Sequence, residues 1–293
     1  IDSACAQLPA PLCDTTGAGP VVVKGTATDL RQFAFGDYDF ALASDGSLSA
    51  LNIHGRPMLD APFASLIYRQ IGPQEYDRFR DRYLQNLDVT SPWALSDFTK
   101  PGLELTPRPV STQQVNFSLK QVRFRGELDA WYVQAIIQPN NAPDLELRLP
   151  TEIVLEYGFS KIRHALSLRL SIYGKQANRL PEEIWLQLGL ANVGQSTCQK
   201  LGYPIDWFNV VSNGNHNLHA VELALTEQWT LEPLDAPLLG LYQPRILCFG
   251  EPLPPRVSLY GQLYNNVWGT NFPMWYEDDI HAEYRVYFSQ RGE

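Results

Sequence analysis

The feature that most constrains the fold is a succession of strand patterns between residues 115 and 173. Along residues 165–172 a leucine or isoleucine occupies every second position, with small or polar side chains between them, as expected for a strand with one buried face. Helical patterns are nearly absent, which argues against a parallel sheet with crossover helices. The chain is therefore predicted to form a large antiparallel all-β sandwich. The strand runs in this part of the chain are residues 115–124, 131–138, 145–157 and 163–173.

One short helix is predicted, from Pro73 to about residue 84. Pro73 suits the first helical turn, and Glu75 favours a helix N-terminus. Tyr76, Phe79 and Tyr83 then form an aromatic stripe that is typical of packing. We expect residues 20–293 to be one domain, preceded by a loop at residues 1–19. Further strands are predicted at residues 33–43 and 48–53, around a turn at Gly46, and at 184–190, 218–225, 241–249, 257–263 and 283–288.

Composition excludes several classes of function. The net charge of −9 argues against nucleic-acid binding, which needs clustered Lys and Arg. No run of 18 or more apolar residues occurs, so no membrane-spanning helix is expected. There is no Gly-rich phosphate loop, Gly-x-Ser-x-Gly elbow or His-Glu-x-x-His motif, and no Cys lies close to a His. Neither a cofactor nor a metal is predicted.

The four cysteines favour an oxidising compartment. We expect two disulfides, Cys5–Cys13 in the N-terminal loop and Cys198–Cys248 between distant segments. The chain begins with an isoleucine, which fits a processed, secreted protein or a fragment. Asn116 starts the sequon Asn-Phe-Ser and is a potential glycosylation site.

An aromatic loop at residues 264–276 is the first candidate binding site. Aromatic faces beside amide groups suit sugar rings, whose C–H faces stack and whose hydroxyls need polar partners. The alternative is a loop whose aromatic side chains fill the core. The candidate sugar-binding residues of the loop are Asn266, Trp268, Asn271, Trp275 and Tyr276.

Two further segments are polar and aromatic. Asp97 and Lys100 lie in a proline-punctuated loop that is either part of a site or a solvated, salt-bridged surface. His216 and His219 follow Asp206, and a histidine oriented by this carboxylate could act as a general base. The alternative is a hydrogen-bonded structural histidine.

Glu182 and Glu183 lie just before the predicted strand at residues 184–190, and adjacent residues of an extended chain point to opposite faces. They cannot form a catalytic pair with each other, although either one could act as an acid or form a salt bridge. Arg163 could neutralise the carboxylate of a uronate.

Seven collinear segments together resemble one known family. They are residues 45–51, 75–79, 97–104, 178–185, 211–221, 234–238 and 263–275. The chain resembles the C-terminal β-sandwich region of an uncharacterised glycosidase-related family, distantly similar to the family 38 α-mannosidases. The resemblance implies a supersandwich of the galactose-mutarotase type. The mannosidase zinc and nucleophile belong to a separate N-terminal domain, and nothing in this chain matches them.

Two functions remain open at this point. The first is a carbohydrate-active enzyme, a lyase or a glycoside hydrolase, that binds a glycan in a concave cleft. The second is a non-catalytic glycan-binding module, or an accessory subunit or fragment that works with a separate catalytic subunit. A polar, aromatic-lined cleft favours an autonomous site, whereas a large apolar patch favours a missing partner domain.

Overall fold

The computed structural model describes residues 22–24, 31–86, 97–106, 109–140, 148–211, 214, 217–250, 256–269 and 273–289. Within these ranges the strands form two antiparallel sheets, sheet A and sheet B. The strands of sheet A are β1 (Val22–Lys24), β2 (Arg31–Phe35), β3 (Tyr38–Leu42), β4 (Leu48–Ile53), β5 (Arg56–Pro57), β6 (Leu59–Gln70), β7 (Gln113–Val115), β12 (Glu182–Leu190), β15 (Leu218–Ala220), β18 (Leu238–Gly240) and β19 (Leu259–Asn265).

Sheet B is formed by the strands β8 (Phe117–Gly126), β9 (Ala130–Pro139), β10 (Glu152–Ser160), β11 (Ala165–Lys175), β13 (Thr197–Lys200), β14 (Tyr203–Ile205), β16 (Leu223–Leu225), β17 (Trp229–Pro233) and β20 (Asp278–Phe288). Its order is β14-β13-β16-β17-β20-β11-β10-β9-β8, with β11 paired to both β10 and β20. The main path of sheet A runs β1-β2-β3-β4-β6-β12-β19-β18-β15.

The two sheets enclose one large hydrophobic core. In β11 the even-numbered residues Leu166 and Leu168 lie in this core, while Ser167 and Arg169 lie on the opposite, outer face. The β3–β4 turn packs against sheet B, because the Tyr157 hydroxyl donates to the Gly46 carbonyl at 2.9 Å. The predicted all-β sandwich is therefore confirmed.

The helix α1 (Pro73–Tyr83) is the one α-helix in the described part of the chain, and it matches the prediction. It lies against the outer face of sheet A, because Glu75 pairs with Arg69, the neighbour of the core residue Tyr68. Tyr76 and Phe79 are buried in a second, smaller apolar cluster with Ile71, Leu247 and Val267, as the stripe predicted. None of the described helices is long and apolar enough to cross a membrane.

Several strand predictions differ from the structure. Residues 33–43 belong to two strands, β2 and β3, which are joined by a turn at Gly36 and Asp37, and residues 218–225 form β15 of sheet A and β16 of sheet B. Residues 241–249 form bends rather than a strand. In the predicted strand 145–157, residues 148–151 are not part of a strand and β10 begins at Glu152, while residues 145–147 lie outside the described ranges. The bends are held by Asn217, whose side-chain amide donates to the carbonyls of Gln243 and Arg245 and accepts the Tyr242 amide. Side-chain hydrogen bonds thus replace the ladder of a strand here.

Candidate functional site

A cleft of about 390 Å³ lies on the outer face of sheet B, away from the core. It crosses β8 to β11 and β20, whose outward-facing positions supply most of its lining. Because side chains alternate along each strand, the same strands bury apolar residues on their other face. The cleft is lined by Arg125, Asp129, Ala130, Tyr132, Glu156, Gly158, Ser160, Arg163, Ala165, Ser167, Arg169, Glu283, Arg285 and Tyr287.

Charged side chains cross the cleft as a network. Arg169 lies 3.6 Å from a Glu156 oxygen and 3.1 Å from a Glu283 oxygen, and so connects β10 to β20. Glu283 also lies 3.6 Å from Arg285, and Glu156 accepts a hydrogen bond from Gln134 at 2.7 Å. Planar guanidinium groups and carboxylates in this arrangement offer the paired donors and acceptors that sugar hydroxyls require.

Tyr132 supplies an aromatic surface at the cleft. The Arg125 guanidinium lies 4.3 Å from the centre of its ring. Burial, together with the charges of Glu127 and Asp129, raises the pKa of Tyr132, so its hydroxyl remains protonated at neutral pH. A protonated phenol can donate a hydrogen bond to a ligand oxygen.

Gly158 keeps the floor of the cleft open. A Cβ atom at this position would lie 2.3 Å from the Ser167 Oγ and 2.9 Å from the Tyr132 ring. Any side chain here would therefore displace its neighbours and occupy the cleft.

Arg163 is the predicted binding residue that lines this cleft. It is exposed, and within the described ranges it forms no ion pair, in contrast to Arg125, Arg169 and Arg285. A carboxylate on a ligand would give this arginine the partner that the other three find in the protein.

The predicted aromatic loop is divided between packing and exposure. Trp268 is half-buried, and its ring centre lies 5.6 Å from that of Phe79 in the smaller apolar cluster. Trp275 is 43% exposed, with the Arg179 guanidinium 4.7 Å from its ring centre. Tyr276 is also exposed, and its hydroxyl donates to the Asp279 carbonyl. Asn271 lies outside the described residues.

Asn266 and Lys100 are buried below this loop. The Asn266 side-chain oxygen accepts the Glu182 amide at 2.7 Å, and its amide nitrogen donates to three backbone carbonyls. Lys100 donates to the carbonyls of Asn266 and Met274, and its burial lowers its pKa to about 8. Both side chains therefore organise the loop from inside. Asp97 is half-buried at the start of the neighbouring segment.

Glu182 and Glu183 are both completely buried, and they point to opposite faces of sheet A as predicted. Glu182 pairs with Lys175 at 2.7 Å and accepts the Tyr68 hydroxyl at 2.8 Å. Glu183 pairs with Arg69 at 2.5 Å on the side of α1. Burial raises the pKa of both carboxyl groups, that of Glu183 to about 7.

The predicted histidine site lies at the edge strands. His219 is buried, with its Nδ1 3.1 Å from the Lys200 Nζ and its ring centre 6.1 Å from that of Trp207. Asp206 is exposed, and it accepts the Phe208 amide at 3.1 Å. His216 lies outside the described residues. The catalytic roles given to these residues and to the two glutamates remain predictions.

The predicted Cys198–Cys248 disulfide is wrong, because both residues are thiols in the structure. Cys198 lies on β13 in the main core, whereas Cys248 follows Leu247 of the smaller apolar cluster, so the two residues belong to different packing units. Cys5 and Cys13 lie outside the described residues. Asn116 is exposed between β7 and β8, and its glycosylation stays a prediction.

The chain is similar to one protein family and to several solved structures. Residues 22–166, just under half of the chain, match the model of a family described as a domain of unknown function (DUF5054). No curated protein matches the chain. The fold is similar to that of an α-mannosidase from Enterococcus faecalis V583, with a TM-score of 0.52 and 9% identity. The similarity covers 93% of this chain but 30% of the mannosidase, so the chain spans about a third of that protein.

Two further solved structures are similar at lower TM-scores. A galactose mutarotase-like protein from Lactobacillus casei ATCC 334 has a TM-score of 0.43 and 12% identity, over 89% of this chain and 100% of the other. A galactose mutarotase related enzyme from Lactobacillus acidophilus has a TM-score of 0.42 and 7% identity, over 89% and 97%. The mannosidase similarity, at 9% identity, shows the β-sandwich fold and no more. It confirms the expected resemblance at the level of the fold alone.

Proposed function

We propose that this protein binds a glycan in the cleft on the outer face of sheet B. The observation that carries the proposal is the cleft itself, about 390 Å³ in volume and lined by arginine, carboxylate, serine and tyrosine side chains. This volume falls within the range of small-ligand sites. The mannosidase-like fold supports the same class of ligand by analogy.

We further propose that the glycan carries a carboxylate. Arg163 has no carboxylate partner in the described part of the protein, and it lies at the same cleft as the paired arginines. A uronate would form a charge-assisted hydrogen bond with it. We propose separately that the protein is secreted, as expected for a protein that binds extracellular glycans.

The test is calorimetric titration of the whole chain with matched neutral and uronate-containing oligosaccharides. Wild type should prefer the uronate ligand, and Arg163→Ala should weaken that binding by about tenfold, as expected for a lost charge-assisted bond. The matched control is Arg123→Ala, since Arg123 is exposed on β8 but does not line the cleft. Equal losses in both variants, or no binding by wild type, would exclude the proposal.

A second candidate is an accessory role in a mannosidase-like enzyme. It is favoured by the coverage, because nearly all of this chain corresponds to 30% of the mannosidase. This candidate predicts that the isolated chain releases neither reducing sugar nor unsaturated uronate from a polysaccharide panel. Turnover by the isolated chain would instead establish an enzyme, and variants of His219 and Asp206 would then test the predicted base.

A further inference from the structure

Three potential metal ligands meet at one end of the sandwich, outside the cleft. Asp37, His54 and His164 each offer one donor atom, and these three atoms lie within 4.8 Å of one another. An Asp37 oxygen lies 3.6 Å from the His54 Nδ1, and its other oxygen lies 3.5 Å from the His164 Nε2. The two imidazole ring centres are 4.8 Å apart.

The three residues come from separate parts of the chain, and two of them, Asp37 and His54, lie in tight turns. Asp37 follows Gly36 in the turn between β2 and β3, where Gly36 has a φ of +55°. His54 and Gly55, with φ of +51° and +75°, connect β4 to β5 in the geometry of a type I′ turn. The two turns are joined directly, because the His54 amide donates to the Asp37 carbonyl.

His164 comes from the other sheet. It precedes β11 and has the same parity as the core residue Leu166, so it lies on the face of sheet B that is directed towards sheet A. The Tyr38 hydroxyl holds the segment around His164 close to sheet A. It accepts a hydrogen bond from the Ala165 amide at 3.0 Å and lies 2.9 Å from the Arg163 carbonyl oxygen. Hydrogen bonds to the backbone thus hold the two turns of sheet A together and hold the segment around His164 against them.

We propose that Asp37, His54 and His164 bind a divalent transition-metal ion, with zinc as the best fit, and that this ion links the two sheets. Two imidazoles and one carboxylate form a three-ligand zinc set that leaves a fourth position for water. Donors 2.0 Å from a tetrahedral zinc lie roughly 3.3 Å apart. The three donor atoms here lie within 4.8 Å of one another, and the exposed side chains of Asp37 and His54 can rotate to close the remaining distance. Calcium and magnesium prefer oxygen ligands and do not suit this site.

The site is accessible from solvent. The side chains of His54 and Asp37 are 56% and 54% exposed, and that of His164 is 15% exposed. An ion can therefore enter without opening the core. A metal that binds only the folded protein would raise its melting temperature by about 5 °C at a concentration one hundredfold above Kd.

The test is calorimetric titration of the metal-stripped whole chain with zinc, together with thermal melts. Wild type should bind one zinc ion at this site and gain about 5 °C. Asp37→Asn, His54→Asn and His164→Asn should each weaken that binding by at least about tenfold and abolish the gain. Asparagine at position 54 keeps the positive φ accessible, and asparagine at position 37 keeps the side-chain shape.

His281→Asn is the matched control, since His281 is exposed on β20 and contacts Ser171 rather than this cluster. It should bind zinc within twofold of wild type. Cobalt should give the visible absorption of a low-coordinate site in wild type and in the control but not in the three ligand variants. The proposal would be overturned if wild type bound no zinc. It would also be overturned if a variant of Asp37, His54 or His164 still bound zinc while its melting temperature without metal stayed the same as that of wild type.

Discussion

Two regions of this molecule use the same residue types in opposite ways. The buried network, formed by Tyr68, Lys175, Glu182 and Asn178, consists of groups that are satisfied by other protein groups. The cleft places arginine, glutamate and tyrosine on an open sheet face, where solvent or a ligand can reach them. A polar cluster can bind a ligand only where its hydrogen-bonding groups remain accessible, as they do in the cleft.

The largest expected effect comes from the buried network. Glu182→Ala should lower the free energy of unfolding by about 3–5 kcal/mol, because the fully buried Lys175 would lose its charged partner. Urea denaturation measures this change. The matched control is Glu283→Ala in the cleft, where the partly exposed ion pairs contribute at most about 1 kcal/mol. Equal losses in the two variants would remove the distinction between the regions.

The second effect is a pH dependence of stability. Burial raises the pKa of Glu183 from 4.5 to about 7, so the folded state keeps a proton that the unfolded chain has released. Stability should therefore fall as the pH rises from about 4.5 through 7, by roughly 3 kcal/mol from this group. Glu183→Gln should lack this fall in unfolding experiments across that range. Parallel pH profiles for wild type and the variant would contradict the assignment.

The third expected effect is on glycan binding at the cleft. Tyr132→Ala should weaken glycan binding by about tenfold, because it removes an aromatic surface, a hydroxyl donor and the contact with Arg125. Its cost in stability should stay near 1 kcal/mol. The matched control is Tyr203→Ala, an exposed tyrosine on β14 that does not line the cleft. Titration should show unchanged binding for the control.

The smallest expected effect is that of a substitution in the aromatic loop, which tests whether the glycan binds at the loop or in the cleft. Trp275 is 43% exposed and lies outside both apolar clusters, so Trp275→Ala should change stability by about 0.5 kcal/mol or less. If the cleft is the binding site, glycan affinity should stay within twofold of wild type. A loss of tenfold or more would instead support the predicted sugar platform at Trp275.

Much of the fold could be predicted from local patterns. The alternation in β11, the Gly46 turn and the helix after Pro73 each follow from side-chain periodicity or from a specific backbone requirement. The 241–249 segment could not be predicted in this way. Its apolar residues resemble a strand, but its backbone is held by Asn217, which is distant in sequence.

The cleft is harder to predict from the sequence, because its residues come from different strands and meet only when those strands pair. Glu156 and Gly158 on β10, and Glu283 and Arg285 on β20, are ordinary outward positions when each strand is considered alone. They become a cleft only through the order of sheet B, which places β11 between these strands. Among the predicted binding residues that the structure describes, Arg163 alone lines the cleft, whereas Asn266 of the aromatic loop is buried and organises the loop from inside.

The most direct test of the central claim is a heteronuclear NMR titration of the labelled chain with the tightest oligosaccharide from the titration panel. The largest amide shifts should cluster at the outward positions of β9, β10, β11 and β20, including Tyr132, Gly158, Ser167 and Arg285. Shifts confined to residues 264–276, or an absence of shifts at the cleft upon saturation, would contradict that claim.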